Sequence, residues 1–201
     1  MLKLSLPLNK NAVLIPAIIF VIAVCIYFLP QNIESLLIYD RNDIANGQWW
    51  RVLTGHLVHT NFNHLLLNLA GLIMLWALHG DDYSPKSYTI VFILSALVCS
   101  LGIYLFTPEM HRYVGLSGVL HGIFVWGAIN DIKKGWNSGY LLLIGVWGKV
   151  FYEQIFGASA DVEAMINASV AIDAHLWGAV GGLIYPLFEF IKSKSLGTDH
   201  N

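Results

Sequence analysis

The sequence predicts an all-α membrane protein with six transmembrane helices. Of its 201 residues, 56% are hydrophobic and only 12% are charged, which lies outside the usual range of soluble globular proteins. Division at charges and turn residues leaves six apolar stretches, at residues 11–30, 61–78, 88–106, 114–130, 139–156 and 171–191. At ~1.5 Å per residue, each can cross a hydrocarbon core of ~30 Å. Backbone groups in lipid must hydrogen-bond within their own helix, so residues 1–201 are predicted to form one helical domain.

The distribution of lysine and arginine predicts the orientation. The N-terminus and the second, fourth and sixth connections carry seven lysines (Lys3, Lys10, Lys86, Lys133, Lys134, Lys192 and Lys194), and the intervening loops carry three arginines (Arg41, Arg51 and Arg112). Because basic residues favour the cytoplasmic side, both termini are predicted cytoplasmic and the long loop 31–60 lies on the outer face. No small-x-small cleavage site follows the first stretch, which is expected to stay as a helix. The sequence has no run of basic residues of the kind that binds nucleic acid.

Polar side chains fall at one depth in three of the predicted helices. Ser117 lies between glycines near the start of the fourth stretch, His64 and Asn68 lie four residues apart in the second, and His175 lies near the start of the sixth. These stretches all enter from the predicted outer face. Polar groups inside a membrane rarely face lipid, so we expect them to share a site just below the outer surface.

The chemistry of these residues suggests nucleophilic catalysis. A serine hydroxyl is a weak nucleophile until a base removes its proton, and an imidazole is suited to this near neutral pH. His175, on a separate helix, and His121, one turn after Ser117, are both candidates, and the freer geometry favours His175. Asp173 is two residues from His175 and points away from it on a helix, so a dyad is predicted. The oxyanion donors available are His64, Asn68 and the Ser117 amide.

Three further pairs bear on packing and polarity. Gly118 and Gly122 in the fourth stretch, and Gly178 and Gly182 in the sixth, form small-residue faces that let helix backbones approach closely. Gly115 would let a substrate backbone approach the Ser117 amide. Lys149 and Glu153, also four apart, either snorkel to the interface as an ion pair or form a polar wall of a water-filled cavity.

Four motifs resemble those of the rhomboid intramembrane serine proteases, over essentially the whole chain. They are Trp50-Arg51, His64-x-x-x-Asn68, Gly115-x-Ser117-Gly118 and Ala174-His175-x-x-Gly178-x-x-x-Gly182. The resemblance implies a rhomboid-like bundle in which Ser117 is the nucleophile, His175 the general base, and His64 and Asn68 the oxyanion donors. His59 matches a further family histidine near the oxyanion site. On composition alone, Trp50 with Trp49 is also typical of an interfacial anchor.

Within that family, Gly-Leu-Ser-Gly-Val-Leu-His-Gly, residues 115–122, is similar to the rhombosortase branch of Gram-negative bacteria. This implies an inner-membrane enzyme with its active site toward the periplasm. The implied substrates are secreted proteins with a C-terminal Gly-Gly motif, one hydrophobic helix and a basic tail.

Three alternatives stay open. The first is a general rhomboid protease that acts on other single-span membrane proteins. The second is a haem or metal protein, because His64 and His175 could ligate from facing helices, although no His-Glu-x-x-His motif occurs. The third is a non-proteolytic rhomboid-like binding module. The dyad mechanism requires no cofactor and no metal.

Overall fold

The computed structural model describes residues 6–197, so Lys3 and the last four residues lie outside the described part of the chain. Within that part, ten α-helices, two 3-10 helices and one two-stranded sheet are found. The helices are α1 (Lys10–Tyr27), α2 (Gln31–Glu34), α3 (Arg41–Ala45), α4 (Arg51–Thr54), α5 (Phe62–His79), α6 (Pro85–Phe106), α7 (Ser117–Lys133), α8 (Asn137–Phe156), α9 (Ala160–Ile166) and α10 (Ile172–Gly197). The strands are β1 (Tyr39–Asp40) and β2 (Arg112–Tyr113), and the 3-10 helices are Gly55–Leu57 and Gly80–Asp82.

Six of these helices, α1, α5, α6, α7, α8 and α10, occupy the six apolar stretches. By length and composition, α1, α5 with the following 3-10 turn, α6 and α10 can each cross a membrane. A fifth crossing results if α8 and α9, which meet at an angle of 91°, count as one bent span. The chain is therefore mostly helical, with four or five candidate spans among the described residues.

The fourth helix begins three residues later than predicted. It was expected to begin at Val114, but α7 begins at Ser117. Arg112 and Tyr113 are extended because β2 pairs antiparallel with β1, with Tyr113 opposite Tyr39. Gly115 then takes φ +123°, a conformation that L side chains rarely adopt. This turn puts Ser117 in the first turn of a helix rather than in its interior.

The other boundaries differ for local reasons. α1 ends at Tyr27, not residue 30, and α2 begins directly after Pro30. α6 begins early at Pro85, where Ser84 and Ser87 form a reciprocal capping box and proline suits the first helical turn. α10 continues beyond residue 191 to Gly197.

α7 is the central helix of the bundle. It has only 17 residues, and α5, α6, α8 and α10 all pack against it. Trp126, near its middle, is 1% exposed and stacks on Tyr83 with ring centroids 5.5 Å apart. Burial on every side explains why α7 lacks a polar face although it carries the candidate nucleophile.

The two glycine pairs meet where α7 and α10 cross. A Cβ atom built on Gly178 would overlap the carbonyl of Gly118, and one built on Gly182 would overlap the carbonyl of Gly122. Only glycine permits this backbone-to-backbone contact. The close approach brings the first turn of α10 over the first turn of α7.

The loop 31–60 is folded rather than open, and Arg51 organises it. The residue is 3% exposed, and its guanidinium donates to the carbonyls of Ser35 and Ile38 at 2.8 and 2.6 Å and pairs with Asp43 at 2.9 Å. The neighbouring Trp50 donates from Nε1 to Leu36 O at 2.9 Å while its ring stays half-exposed. Trp50 and Arg51 therefore both hold residues 35–38 of the loop through side-chain hydrogen bonds.

Candidate active site

Ser117 and His175 are in hydrogen-bonding contact. Ser117 is the first residue of α7, His175 lies in the first turn of α10, and Oγ is 2.9 Å from Nε2. The first amides of a helix have no carbonyl partner within it. The Ser117 amide is one of these, and it lies beside the hydroxyl, where it can donate to an oxyanion.

His175 also contacts a carboxylate that the sequence did not assign to it. Its Nδ1 lies 2.8 Å from Glu153 Oε2, and the same oxygen is 2.8 Å from Lys149 Nζ. Glu153 is 9% exposed, whereas the Lys149 side chain is 48% exposed. The expected Lys149–Glu153 pair exists, but only Lys149 reaches outward; Glu153 faces inward. The sequence offered Lys149 as a sufficient partner, so nothing indicated a second one.

Asp173 takes a different direction, as its position on the helix predicts. Its Oδ2 accepts a hydrogen bond from Thr107 Oγ1 at 2.9 Å. This contact ties the start of α10 to the end of α6 and places the carboxylate away from the Ser117–His175 pair.

His121 supports the pair rather than replacing His175. Its Nδ1 donates to the carbonyl oxygen of Ser117 at 2.7 Å. Its ring stacks on that of His175, with centroids 4.2 Å apart and planes 21° apart. His121 thus fixes the imidazole plane of His175, a contact that helical spacing alone did not reveal.

His64 and Asn68 line the same cavity as Ser117 and His175. Asn61 caps α5 by accepting the His64 amide at 2.8 Å, which fixes the first turn. A Cβ on Gly115 would lie 2.8 Å from His64 Cε1 and Nε2. Glycine at 115 therefore allows the His64 ring to approach the backbone beside the nucleophile.

The contacts of His64 Nδ1 come from one residue. Thr60 Oγ1 lies 3.1 Å away and donates to Ile166 O at 2.7 Å, while the Thr60 amide lies 3.4 Å away. An oxyanion donor requires a proton on Nε2, and in a neutral imidazole this makes Nδ1 the acceptor. The amide of Thr60 supplies a donor for that tautomer.

His59 packs against the ring of His64. The two rings are edge to face with centroids 5.1 Å apart, and both His59 nitrogens are buried without a hydrogen-bond partner among the described residues. Burial, reinforced by the neighbouring His64, lowers the pKa of His59 to about 3. His59 is therefore a neutral packing group at ordinary pH.

Two cavities meet at the nucleophile. The first, of about 310 Å³, has polar groups at one end and apolar walls from α5 and α9, including Leu67, Met74 and Val162. The second, of about 560 Å³, is more polar and lies among the loops before α7 and α10, where Arg112 and Asp173 line it. Ser117 lines both, so it is reachable from an apolar and from a polar side.

A second histidine–serine contact lies elsewhere. His56 Nε2 is 3.0 Å from Ser100 Oγ, but that hydroxyl donates to Val52 O at 2.7 Å and the His56 side chain is fully buried. Burial lowers the pKa of His56 to about 4 despite its backbone hydrogen bonds. Neither cavity is lined by this pair, which we interpret as a structural link between the outer loop and α6.

Among the residues that the structure describes, one group of side chains could hold a metal ion. Ligand atoms of His121, Glu153 and His175 lie within 4.8 Å of one another. However, Lys149 places an ammonium 2.8 Å from the carboxylate oxygen that a cation would need. The hydrogen-bonded arrangement already satisfies Glu153 and His175, so these residues fit a proton-transfer site better than a metal site.

Several rhomboid proteases are similar to this chain in sequence. The chain is 26% identical over 152 residues to the putative rhomboid protease YdcA of Bacillus subtilis, covering 70% of this chain and 67% of YdcA. It is 22% identical over 161 residues to the rhomboid protease GluP of the same organism, covering 75% of this chain but only 29% of GluP. It is 27% identical over 194 residues to the rhomboid protease GlpG of Haemophilus influenzae, covering 90% of this chain and 91% of GlpG.

A family model described as the rhomboid domain matches residues 46–192, well over half of the chain. That range contains all four sequence motifs and both members of the hydrogen-bonded Ser117–His175 pair. The chain therefore belongs to the rhomboid family of intramembrane serine proteases.

Proposed function

We propose that this protein cleaves peptide bonds of transmembrane segments, with Ser117 as nucleophile and His175 as general base. The 2.9 Å contact between Ser117 Oγ and His175 Nε2 carries this proposal. Nothing else among the described residues combines a serine, a histidine within hydrogen-bonding distance and an adjoining cavity.

The proposed reaction follows from these positions. Oγ attacks the scissile carbonyl carbon while its proton passes to His175 Nε2. The oxyanion accepts hydrogen bonds from His64, Asn68 and the Ser117 amide. Collapse breaks the C–N bond, and His175 returns the proton to the leaving amine. Water, activated by the same imidazole, then hydrolyses the acyl-enzyme.

The two cavities give the two reactants separate routes. A transmembrane substrate would enter the apolar cavity between α5 and α9, and water would reach Ser117 through the polar one. A helical substrate hides its carbonyls in internal hydrogen bonds, so it must unwind before attack. In this arrangement α1, α5, α6, α7, α8 and α10 form six spans, and the distribution of basic residues supports cytoplasmic termini and an outward active site.

Purified wild type and the variants Ser117→Ala and His175→Ala test the catalytic assignment against a model transmembrane substrate in detergent and in liposomes. Ser193→Ala, which changes an exposed serine near the end of α10, is the matched control. We expect cleavage and fluorophosphonate labelling only in wild type and the control. Cleavage by Ser117→Ala would refute the assignment. Folded wild type that neither cleaves nor labels would favour the non-proteolytic binding module.

For the substrate, we propose secreted proteins with a C-terminal Gly-Gly motif followed by a hydrophobic helix, processed at the bacterial inner membrane. The resemblance of residues 115–122 to rhombosortases supports this, and so does the energetics of unwinding. Glycine lowers the cost of unwinding a helix by ~1 kcal/mol per residue relative to alanine. A Gly-Gly pair beside the scissile bond would therefore ease its entry to Ser117.

C-terminal sequencing of secreted proteins from cells with wild type or Ser117→Ala tests this substrate class. We expect Gly-Gly proteins to keep their C-terminal helices only in the variant. A Gly-Gly→Leu-Leu substrate controls for the motif. Equal cleavage of both substrates in vitro would indicate a general rhomboid protease instead. Activity that needs added metal, or a Soret absorbance in the active protein, would favour the metal or haem alternative.

A further inference from the structure

Glu153 is a buried carboxylate that the dyad mechanism leaves without a role. It lies on α8, one turn after Lys149, and turns toward the start of α10 rather than toward the surface. Inside a membrane protein an ionisable side chain is costly unless it is paired, and such residues commonly mark functional sites. Lys149 satisfies the pairing requirement, yet Glu153 Oε2 also lies 2.8 Å from His175 Nδ1.

The contact decides which nitrogen of His175 carries the proton. An ionised carboxylate can only accept a hydrogen bond, so Nδ1 must be the donor. A neutral imidazole then has its lone pair on Nε2, which is the nitrogen 2.9 Å from Ser117 Oγ. That is the tautomer a general base needs. A chain of two hydrogen bonds therefore runs from Glu153 through His175 to Ser117.

Lys149 can oppose this tautomer. Its Nζ lies 3.4 Å from His175 Nδ1, and an ammonium can only donate. A hydrogen bond in that direction would leave the proton on Nε2 and remove the base. In the native chain the shorter contact with Glu153 prevails, and Glu153 also holds the ammonium at its own oxygen.

We propose that Glu153 is a positioning residue that holds His175 in the tautomer able to deprotonate Ser117 and that prevents Lys149 from donating to the same nitrogen. The inference rests on the proposed function of Ser117 and His175. His121 fixes the plane of the same ring by stacking, so the two residues restrict different properties of the imidazole. The carboxylate also stabilises the imidazolium that forms when Ser117 attacks, an effect that is large where water is excluded.

The test compares Glu153→Gln, Lys149→Met and the double variant in purified full-length protein. Glutamine has the shape of glutamate but no charge, and it can donate to Nδ1 as well as accept. Glu189→Gln is the matched control, because Glu189 also pairs with a lysine, Lys133, but is exposed far along α10. Melting temperatures establish that each variant is folded.

We expect Glu153→Gln to lower kcat by about 10²- to 10⁴-fold, as loss of the acid does in serine protease triads, with KM unchanged. Fluorophosphonate labelling of Ser117 should slow in parallel, because it needs the same base but no peptide substrate. The double variant should have a kcat about tenfold higher than that of Glu153→Gln, since the competing donor Lys149 is gone. Lys149→Met alone should lower kcat less than Glu153→Gln does, because the contact between Glu153 and His175 remains.

Different outcomes would overturn the proposed function of Ser117 and His175 and the proposed role of Glu153. Wild type without Ser117-dependent cleavage or labelling would overturn the proposed function and this inference with it. An active wild type with near-normal kcat in folded Glu153→Gln would overturn the inference alone. So would equal losses in Glu153→Gln and Lys149→Met without recovery in the double variant, because those results indicate an ion pair with a structural role only.

Discussion

Gly178 on α10 rests directly on the carbonyl group of Gly118 on α7, with no room for a Cβ atom between them. The contact lies one residue beyond Ser117 and three residues beyond His175 along their helices. It therefore sets the distance between the two helices at the level of the candidate site.

Gly178→Ala should consequently impair activity more than a methyl group usually does. The methyl would force α10 away from α7, lengthen the 2.9 Å contact between His175 and Ser117, and destabilise the fold by about 1–3 kcal/mol through overpacking. We expect a loss of activity of at least about tenfold. Gly148→Ala on α8 is the control, because a Cβ there meets nothing within 4 Å. Similar activity in the two variants would argue against this spacing role.

Asn68→Ala tests the oxyanion assignment. The amide is 4% exposed, its Nδ2 has no hydrogen-bond partner among the described residues, and it lines the cavity beside Ser117. Loss of one oxyanion donor lowers kcat by about 10²- to 10³-fold, and KM should change little. Steady-state kinetics with a transmembrane substrate measure both constants. Asn42→Ala, on the exposed side of α3, should behave as wild type; an Asn68 variant with the same kcat as this control would remove Asn68 from the site.

His121 makes two contacts whose contributions to activity can be measured separately. His121→Phe keeps an aromatic ring to stack on His175 but loses the hydrogen bond to the Ser117 carbonyl, so we expect a loss of about tenfold or less in kcat/KM. His121→Ala loses both contacts and should lose substantially more. Comparing the two by cleavage rate and by fluorophosphonate labelling distinguishes stacking from hydrogen bonding. If phenylalanine were no better than alanine, ring stacking would not orient His175.

Because His59 is buried as a neutral imidazole, the protein should lose stability in acid. Its pKa falls from an ordinary 6.5 to about 3 in the folded protein because burial disfavours the charged ring. Between these values the unfolded chain binds more protons, so the stabilisation is complete above pH 6.5 and is lost as pH falls toward 3. The slope is about 1.4 kcal/mol per pH unit for this histidine. Melting in detergent from pH 7 to pH 4 should show a shallower decline for His59→Phe than for wild type.

An exposed histidine provides the control for that measurement. His111→Phe replaces a histidine whose side chain is exposed, and its melting is measured over the same pH range. If His59→Phe gave the same slope as wild type, or as His111→Phe, His59 would not be the titrating group.

Much of this protein could be predicted from the sequence because membrane helices have strong local requirements. The lengths of the apolar stretches located six long helices, and the chain order put Ser117, His64 and His175 at the start of three of them. The glycine pairs at 118 and 122 and at 178 and 182 indicated which two helices could approach closely. The family followed from four motifs in that order, and the rhomboid match to residues 46–192 confirmed it.

Only the tertiary structure decided what lies around the imidazole of His175. The spacing of Lys149 and Glu153 fixes their relation to each other, but not the rotation of α8 about its axis, and that rotation turns Glu153 inward to Nδ1. The stack of His121 on His175 depends likewise on how α7 and α10 cross. The start of α7 at Ser117 depends on the pairing of β1 with β2. Local sequence determines helix faces and most helix ends, whereas contacts between helices are set by the packing of the whole bundle.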